Sequence, residues 1–555
     1  MIYFLIVIAI LGLIVIVTAV SSYRYKRRLR SSLEQSFGKI PVRRYDEYVM
    51  GSISSYWENR RDSEALPYSV DDLTWRDLDM DSVYKRINSA CSSIGEEYLY
   101  GTMRDQMYNL EAAAKMEEAV QFFDGHQKIR INTQMILSRL GKITANGIVD
   151  FFHNPSDRML SHYVLYPILS AAAALSVLSL IPFGGVGVLL IILMGIINML
   201  VYSRAKIILE PELVSMRYIS ALLICAEKMS HLKLGELKKY TDRLSRLQAP
   251  LQKMGKSAGT IMNVSLDLNN MLFELIKMFF MIDFLMYRHM LSVITKHSEE
   301  CIEIYKIVGF LDTAISIASF RKSLVTCSIP EFTDTEEIEI RNMVHPLVTE
   351  PVANSITLKR NSIITGSNAS GKSTFVKAVA INTILAQTIH TCLAEHFSLK
   401  PSFVVTSMAV SDSIEAGDSY YIAEIKSLKR ILDGLNGKVR CLCFIDEILK
   451  GTNTIERIAA SAAVLDYLKN ENCLAVIATH DIELTEMAEE SFDNFHFQEH
   501  IGESGVDFDY KICDGRSTTK NAIRLLEFMD YNQEIIEKAN ALASDFEKNR
   551  VWEKL

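Results

Sequence analysis

Residues 362–374 read SIITGSNASGKST, and no other stretch restricts so closely what this chain can fold into. A β-branched run stops at Gly366, a short loop follows, and Gly371-Lys372-Ser373 opens the helical pattern STFVKAVAINTILAQ. The spacing G-x-x-x-x-G-K-[ST] requires strand, loop and helix in that order, because backbone N–H groups of the loop and helix start form a nest for phosphate. From about Ile338 onward short β-branched strands alternate with helical stretches, the pattern of an α/β domain. Gly366, Ser367, Asn368, Ala369, Ser370, Gly371, Lys372, Ser373 and Thr374 form the ATP cradle. Lys372 reaches the β and γ oxygens, and the Ser373 hydroxyl holds Mg²⁺.

Two later strands bring the remaining chemistry. The apolar run CLCFIDE ends in Asp446, which holds the magnesium, and Glu447, which orients the attacking water. The run CLAVIATH ends at His480, placed to sense the γ-phosphate. A histidine at a strand end is commonly structural; behind a phosphate loop and an acidic strand end, His480 reads as catalytic.

Three segments are long and apolar enough for a bilayer, which takes about 20 helical residues. The first, Ile2 to Val20, is followed by Arg24, Lys26, Arg27, Arg28 and Arg30, and basic residues after the apolar run indicate an uncleaved anchor with that end in the cytoplasm. The second and third, HYVLYPILSAAAALSVLSLI and GVGVLLIILMGIINMLVY, are joined by Pro182, Phe183, Gly184 and Gly185 into a hairpin, with Arg204 and Lys206 on the cytoplasmic side. A fourth apolar stretch, MLFELIKMFFMIDFLMYRHML, carries Glu274, Lys277, Asp283 and Arg288, and reads as one buried helix of a soluble core. These readings place a multi-pass protein in the cell membrane, in contact with lipid, with the α/β domain in the cytoplasm.

The expected organisation is a transmembrane anchor at 1–22, a polar tether at 23–85, a helical core in two parts at 86–161 and 204–329, and a transmembrane hairpin at 162–203. The P-loop ATPase domain follows at 330–530 and a C-terminal helical segment at 531–555. The fold class is therefore an α/β P-loop (ABC-type) ATPase domain plus an all-α lever or core domain with transmembrane helices. A net charge of -8 gives no overall attraction for nucleic acid. The nine cysteines are scattered in apolar runs and read as buried thiols; Cys441 and Cys443, two apart in one strand, share a face.

In order, GSNASGKST, DSIEAGDSYYIAEI, FIDEILKGTNT and ATHDIELTE resemble the ATPase domain of the MutS family of DNA mismatch-repair proteins. MVHPLVTEPVANSITL before the loop is similar to that family's His-Pro segment, and DYNQEIIEKANALASDFE to its helical dimerisation segment. SIGEEYLYGTMRDQMYNLEAAAKMEEAVQFF and IYKIVGFLDTAISIASF are similar to its helical core and lever, so the likeness covers roughly residues 86 to 555 around the hairpin. The resemblance implies a homodimer in which Gly417 and Ser419 meet the γ-phosphate bound by the partner subunit, and GTNT at Gly451 to Thr454 crosses the interface. Glu424 matches a family acid. ATP binding then closes the dimer and hydrolysis releases it, a conformational switch.

Several positions depart from the family pattern. Ala369 and Ser370 replace a Met-Gly pair, Asp418 stands where a basic residue is usual, and Val352 lies where the family puts an aromatic under the adenine. No stretch ahead of residue 86 resembles the mismatch-reading domain, so detection of a mispair by a wedged side chain is not expected. The basic excess of residues 227–256 suits DNA phosphate, anionic lipid or a solvated helix face. Two functions follow: an ATPase whose closed dimer engages DNA, or an ATP-driven membrane switch or scaffold recruiting an unknown protein partner. An ABC exporter needs more spans and a Leu-Ser-Gly-Gly-Gln sequence, and fits less well.

Overall fold

The structure is a computed structural model describing residues 2–63, 68–106, 110–143, 148–153, 164–251, 268–367, 370–408, 420–435, 439–502, 505–517 and 531–549, with positions 523, 526, 529, 551 and 552. The chain forms two compact units. One comprises residues 1–65, 86–102 and 114–323, the other residues 66–85, 103–113 and 324–555.

The first unit is helical. At its core runs the helix Ser298–Lys322, whose Asp312 side chain accepts the Cys91 and Ser92 N–H groups at 3.0 and 2.9 Å and the Ser92 hydroxyl at 2.6 Å. A carboxylate at the positive end of the helix that begins at Ser93 is well placed electrostatically. The approach is so close that a Cβ on Gly95 would lie 2.3 Å from Asp312. Burial pushes the Asp312 carboxyl up to about 6 and that of Glu97, which accepts the Tyr305 hydroxyl at 2.5 Å, up to about 8. The stretch expected to be a tether is partly core. Helix Glu47–Ser63 buries Ile53, Tyr56 and Trp57, and the Tyr56 ring lies 5.2 Å from that of Tyr305. Its apolar stripe is only one turn long, too short to register as helical periodicity.

Helix Ile2–Ser36 opens the chain, with side chains described from Ile16. Helices Leu165–Leu178 and Leu180–Phe183 lead into Gly185–Ser230, and two stretches here, Leu165–Phe183 and Gly185–Ser230, are long and apolar enough to cross a membrane. Gly187 permits the tight reversal, since a Cβ there would lie 2.7 Å from the Leu180 Cα. The long helix changes character along its length. Leu189, Leu200, Ile207 and Ile208 are exposed, whereas Leu213, Met216, Ile219, Leu222 and Met229 are buried in protein.

The fourth apolar stretch is not one helix. Met281 takes a left-handed conformation (φ 54°) and splits it into Leu268–Phe279 and Ile282–Lys296. Its charges are accommodated by pairing: Lys277 contacts Glu274 and lies 3.9 Å from Asp283, which accepts the Tyr202 hydroxyl at 2.5 Å.

The second unit is α/β. A six-stranded sheet has the order β10-β9-β4-β8-β7-β6, with β4 Ser362–Thr365, β6 Phe403–Ser407, β7 Cys441–Asp446, β8 Cys473–Ala478, β9 Asp493–Gly502 and β10 Gly505–Asp514. All neighbours are parallel except the β9–β10 hairpin. The central strands are apolar on both faces, as helix-covered parallel strands must be. A smaller sheet, β1 Glu331–Phe332, β5 His396–Leu399, β2 Ile338–Met343 and β3 Asn354–Leu358 in that order, belongs to the same unit. Cys441 and Cys443 do share a face, their sulfurs 3.3 Å apart in the core.

Residues 66–85 and 103–113, assigned from sequence to tether and helical core, cluster with this α/β unit. Helix Asp72–Asp77 is capped by Asp71, whose carboxylate accepts the Thr74 N–H at 2.7 Å. Asp77 Oδ2 then accepts the Thr406 hydroxyl at 2.8 Å and the Met408 N–H at 2.9 Å, fastening this helix to edge strand β6.

Candidate functional site

Adjacent parallel strands β4, β8 and β7 end together, and the loops that leave them carry the phosphate loop, His480 and Asp446-Glu447. This is where a parallel α/β sheet places its ligands. Gly366 and Gly371 have φ of 142° and 98°, and a Cβ on Gly366 would lie 2.8 Å from Ser370 Oγ. Gly371 caps the helix Lys372–Ile389, whose first N–H groups open toward the loop. Asn368 and Ala369 lie outside the described residues.

Lys372 is buried. Its Nζ donates to the Gly366 and Ser367 carbonyls at 2.5 and 2.7 Å and lies 3.5 Å from His480 Nε2. Burial holds its ammonium down at about 8, although Asp446, Glu447 and Glu499 pull the other way. The buried Ser367 hydroxyl oxygen has no hydrogen-bond partner among the described residues. A buried cation hydrogen-bonded to loop carbonyls, an orphaned hydroxyl and a glycine cradle together suit an anion with several oxygens. Ser373 and Asp446 are the oxygen donors that the sequence offers for the Mg²⁺ expected with such a phosphate; Asp446 pairs in register with Ala478 at the sheet's end. Among the described residues no cluster of three His, Cys, Asp or Glu side chains forms a metal cage by itself.

Glu447 sits at φ 63° and Leu449 at φ 56°, conformations costing of order 1–3 kcal/mol each for side chains of this kind. Four hydrogen bonds hold the strained loop: the Glu447 N–H donates to Ala478 O at 2.8 Å, the Ser461 hydroxyl to Ile448 O at 3.2 Å, and the N–H groups of Lys450 and Gly451 to the two Glu424 oxygens at 3.2 and 3.1 Å. Thus aimed, the Glu447 carboxylate meets His480 Nε2 at 3.1 Å and Lys450 Nζ at 3.2 Å. The His480 hydrogen bond, reinforced by Lys450, draws its carboxyl down to about 2. So acidic a group is a weak proton acceptor at neutral pH but a permanently charged hydrogen-bond acceptor, suited to orienting water. His480 is steadied by its neighbour Asp481, which receives Arg457 bidentately at 3.0 and 2.6 Å.

Beside Gly371 opens a cleft of about 360 Å³ lined by Met343, His345, Val352, Phe375, Phe497 and Tyr510. Its dimensions and apolar walls fit a nucleobase and sugar. Val352 offers no aromatic surface there. The structure supplies one from β10: a bulge between Phe508 and Ile512 places Tyr510 at φ 53°, where its ring lies 3.1 Å from an ideal Cβ on Gly371. Asn354 pins that bulge, donating to Tyr510 O and accepting the Ile512 N–H, each at 2.9 Å. Tyr510 carries no motif, and only the aromatic alternation of FDY hinted at it.

Residues 409–419 lie outside the described residues, and with them Gly417, Asp418 and Ser419. Their flanks are described: Met408 is held by Asp77, Ser407 by Ser427 at 2.9 Å, and Arg430 reaches both Asp71 and the Thr406 carbonyl. Sequence reasoning missed Asp71 and Asp77; Asp71 had the local signature of a helix cap, Asp77 none. The GTNT stretch caps helix Thr454–Leu468, with Asn453 Oδ1 accepting the Glu456 N–H at 3.0 Å.

Sheet order, glycine cradle, buried lysine and paired strand-end acids define a P-loop ATPase domain. Residues 362–547 match the model of MutS domain V, the ATPase domain of MutS proteins. The chain is 32% identical over 254 residues to "MutS protein homolog 4" of Homo sapiens, covering 42% of this chain and 26% of that one. It is 30% identical over 275 residues to "DNA mismatch repair protein MutS" of Natronomonas pharaonis, covering 47% and 32%, and 29% identical over 215 residues to the Thermus thermophilus protein of the same name, covering 38% and 26%. Residues 362–547 are therefore a domain of the MutS V type. The matches span about a quarter to a third of the length of these relatives.

Proposed function

We propose that this protein is an ATP-hydrolysing MutS-type switch held at a membrane. Two copies close on ATP, each cradling the triphosphate with Gly366–Thr374 and offering Gly417 and Ser419 to the other. Bound Mg²⁺ supplies charge neutralisation of the phosphates. Glu447, kept ionised by His480 and Lys450, orients the attacking water, and loss of the γ-phosphate releases the dimer. The observation that carries this reading is the Glu447–His480–Lys372 constellation, with contacts of 3.1 and 3.5 Å beside the glycine cradle. The membrane part rests on the change in the long helix, exposed and apolar near Leu189 and Leu200 yet buried from Leu213 onward, and on Arg204 and Lys206 between.

DNA binding comes from the relatives' names, and one observation weighs against the basic segment as its contact. Lys239 is paired with Glu118 at 2.5 Å and Arg243 bidentately with Glu303 at 2.6 and 2.5 Å, while Lys253 and Lys256 lie outside the described residues. Those two side chains are therefore already engaged within the helical unit. The test uses the full chain in lipid nanodiscs. Glu447→Gln should retain ATP, lose about 10²–10⁴-fold in turnover, and accumulate as a dimer with ATP but not ADP. Retention of near-normal turnover, or a monomer with trapped ATP, overturns the proposal; DNA-stimulated turnover would assign the partner as nucleic acid.

A further inference from the structure

The broken apolar stretch has no role in the ATPase chemistry, and its contacts with the long helix fix its level. Tyr166 and Tyr202 lie at the basic-flanked ends of the hairpin's two spans, both packed on Phe284 with ring centroids 4.6 and 5.3 Å away. Aromatic rings with Arg204 and Lys206 just beyond mark the cytoplasmic boundary of a bilayer. From Tyr202 the helix rises toward Gly185, so Asn198 lies about 6 Å and Gly195 about 10 Å deeper. Asn198 Nδ2 donates to the Phe279 carbonyl at 2.6 Å, and the Phe279 ring lies 3.7 Å from an ideal Cβ on Gly195. The turn at Phe279–Met281 is thus above the boundary. Both legs descend from it: Asp283 meets Tyr202 at 2.5 Å, and Lys277 ties Glu274 to Asp283.

We propose that helices Leu268–Phe279 and Ile282–Lys296 form a re-entrant wedge whose turn enters the cytoplasmic leaflet and whose outer surface is covered by lipid acyl chains. The inference rests on the hairpin's spanning a membrane. Leu275 and Ile276, 48% and 40% exposed, continue the exposed apolar surface of the long helix. Near the turn Lys277 and Asp283 face inward, buried and paired with each other and with Glu274 and Tyr202, as charges near hydrocarbon must be, while Glu274, its side chain 40% exposed, and the exposed Arg288 lie farther down the two legs. Asn198 takes up a carbonyl that the break at Met281 leaves without a continuing helix, which is how interrupted helices are tolerated at membrane depth.

The experiment places a diazirine-bearing residue singly at Leu189 on the hairpin, Ile276 on the wedge and Val325 in the ATPase unit, in full-length protein in phosphatidylcholine–phosphatidylglycerol nanodiscs, and reads lipid adducts by mass spectrometry. Adducts are expected at Ile276 at about half the Leu189 yield, following exposures of 40% and 67%, and at background at Val325. Adducts at Leu189 with only background at Ile276 overturn the wedge and leave the hairpin reading intact. Background at both positions overturns the membrane reading itself and the wedge with it. A protein crosslink at Ile276 in place of lipid would likewise refute the proposal.

Discussion

Lys372 gives the site a measurable proton linkage. Its ammonium is held down to about 8 because burial is only partly offset by Asp446, Glu447 and Glu499. Phosphate oxygens at Nζ restore the charged form, so nucleotide binding must take up a proton wherever the free protein has lost it. With a free-site value of about 8, uptake per nucleotide is about 0.1 at pH 7, about 0.5 at pH 8 and about 0.9 at pH 9. An ordinary exposed lysine stays charged throughout this range and would give almost no uptake. Affinity therefore weakens as pH rises through 8, while the unliganded domain gains stability between about 8 and 10.5, where the unfolded chain binds more protons than the folded one. The assay is calorimetric titration of ADP into the protein at pH 7, 8 and 9 in buffers of differing ionisation enthalpy; ADP is already fully ionised at the upper two values and is not consumed. Lys372→Arg, which cannot titrate, is the control and should show no uptake. Uptake near zero at pH 9 in the native protein would refute the claim that the cradle holds a desolvated lysine.

Two further outcomes follow from the geometry. Glu424→Ala removes the acceptor of the Lys450 and Gly451 N–H groups and frees the strained Glu447 loop, so turnover should fall roughly ten- to hundredfold, from a loss of about 1.5–3 kcal/mol, with ADP affinity unchanged. Glu424→Gln keeps one acceptor oxygen and should recover part of the rate; equal losses in affinity and turnover would show that Glu424 merely supports the fold. Glu97 is raised from 4.5 to about 8, so its contribution to stability is complete below pH 4.5 and is lost as pH rises through 8. Glu97→Gln should therefore flatten the fall in the helical unit's thermal midpoint between pH 5 and 8, measured by circular dichroism, and an unchanged slope would refute the burial argument.

The sequence alone determined the features whose physics is local. A glycine-lysine loop between a β-branched strand and a helix can only be a phosphate cradle, strand-end acids and a histidine follow at readable spacing, and long uncharged runs announce helices that need an apolar surrounding. The tertiary structure decided what depends on partners distant in the chain. Tyr510 became part of the cleft beside Gly371 because Asn354 holds a bulge 156 residues away. Asp77 reached Thr406 across 329 residues. The charged apolar stretch became two helices because Asn198 and Tyr202, 81 residues earlier, supply the hydrogen bonds that a break and a buried aspartate require. Periodicity reports which face of an element is apolar, but only packing reports what that face meets, because side-chain contact energy is set by atoms within a few ångströms and not by neighbours in sequence.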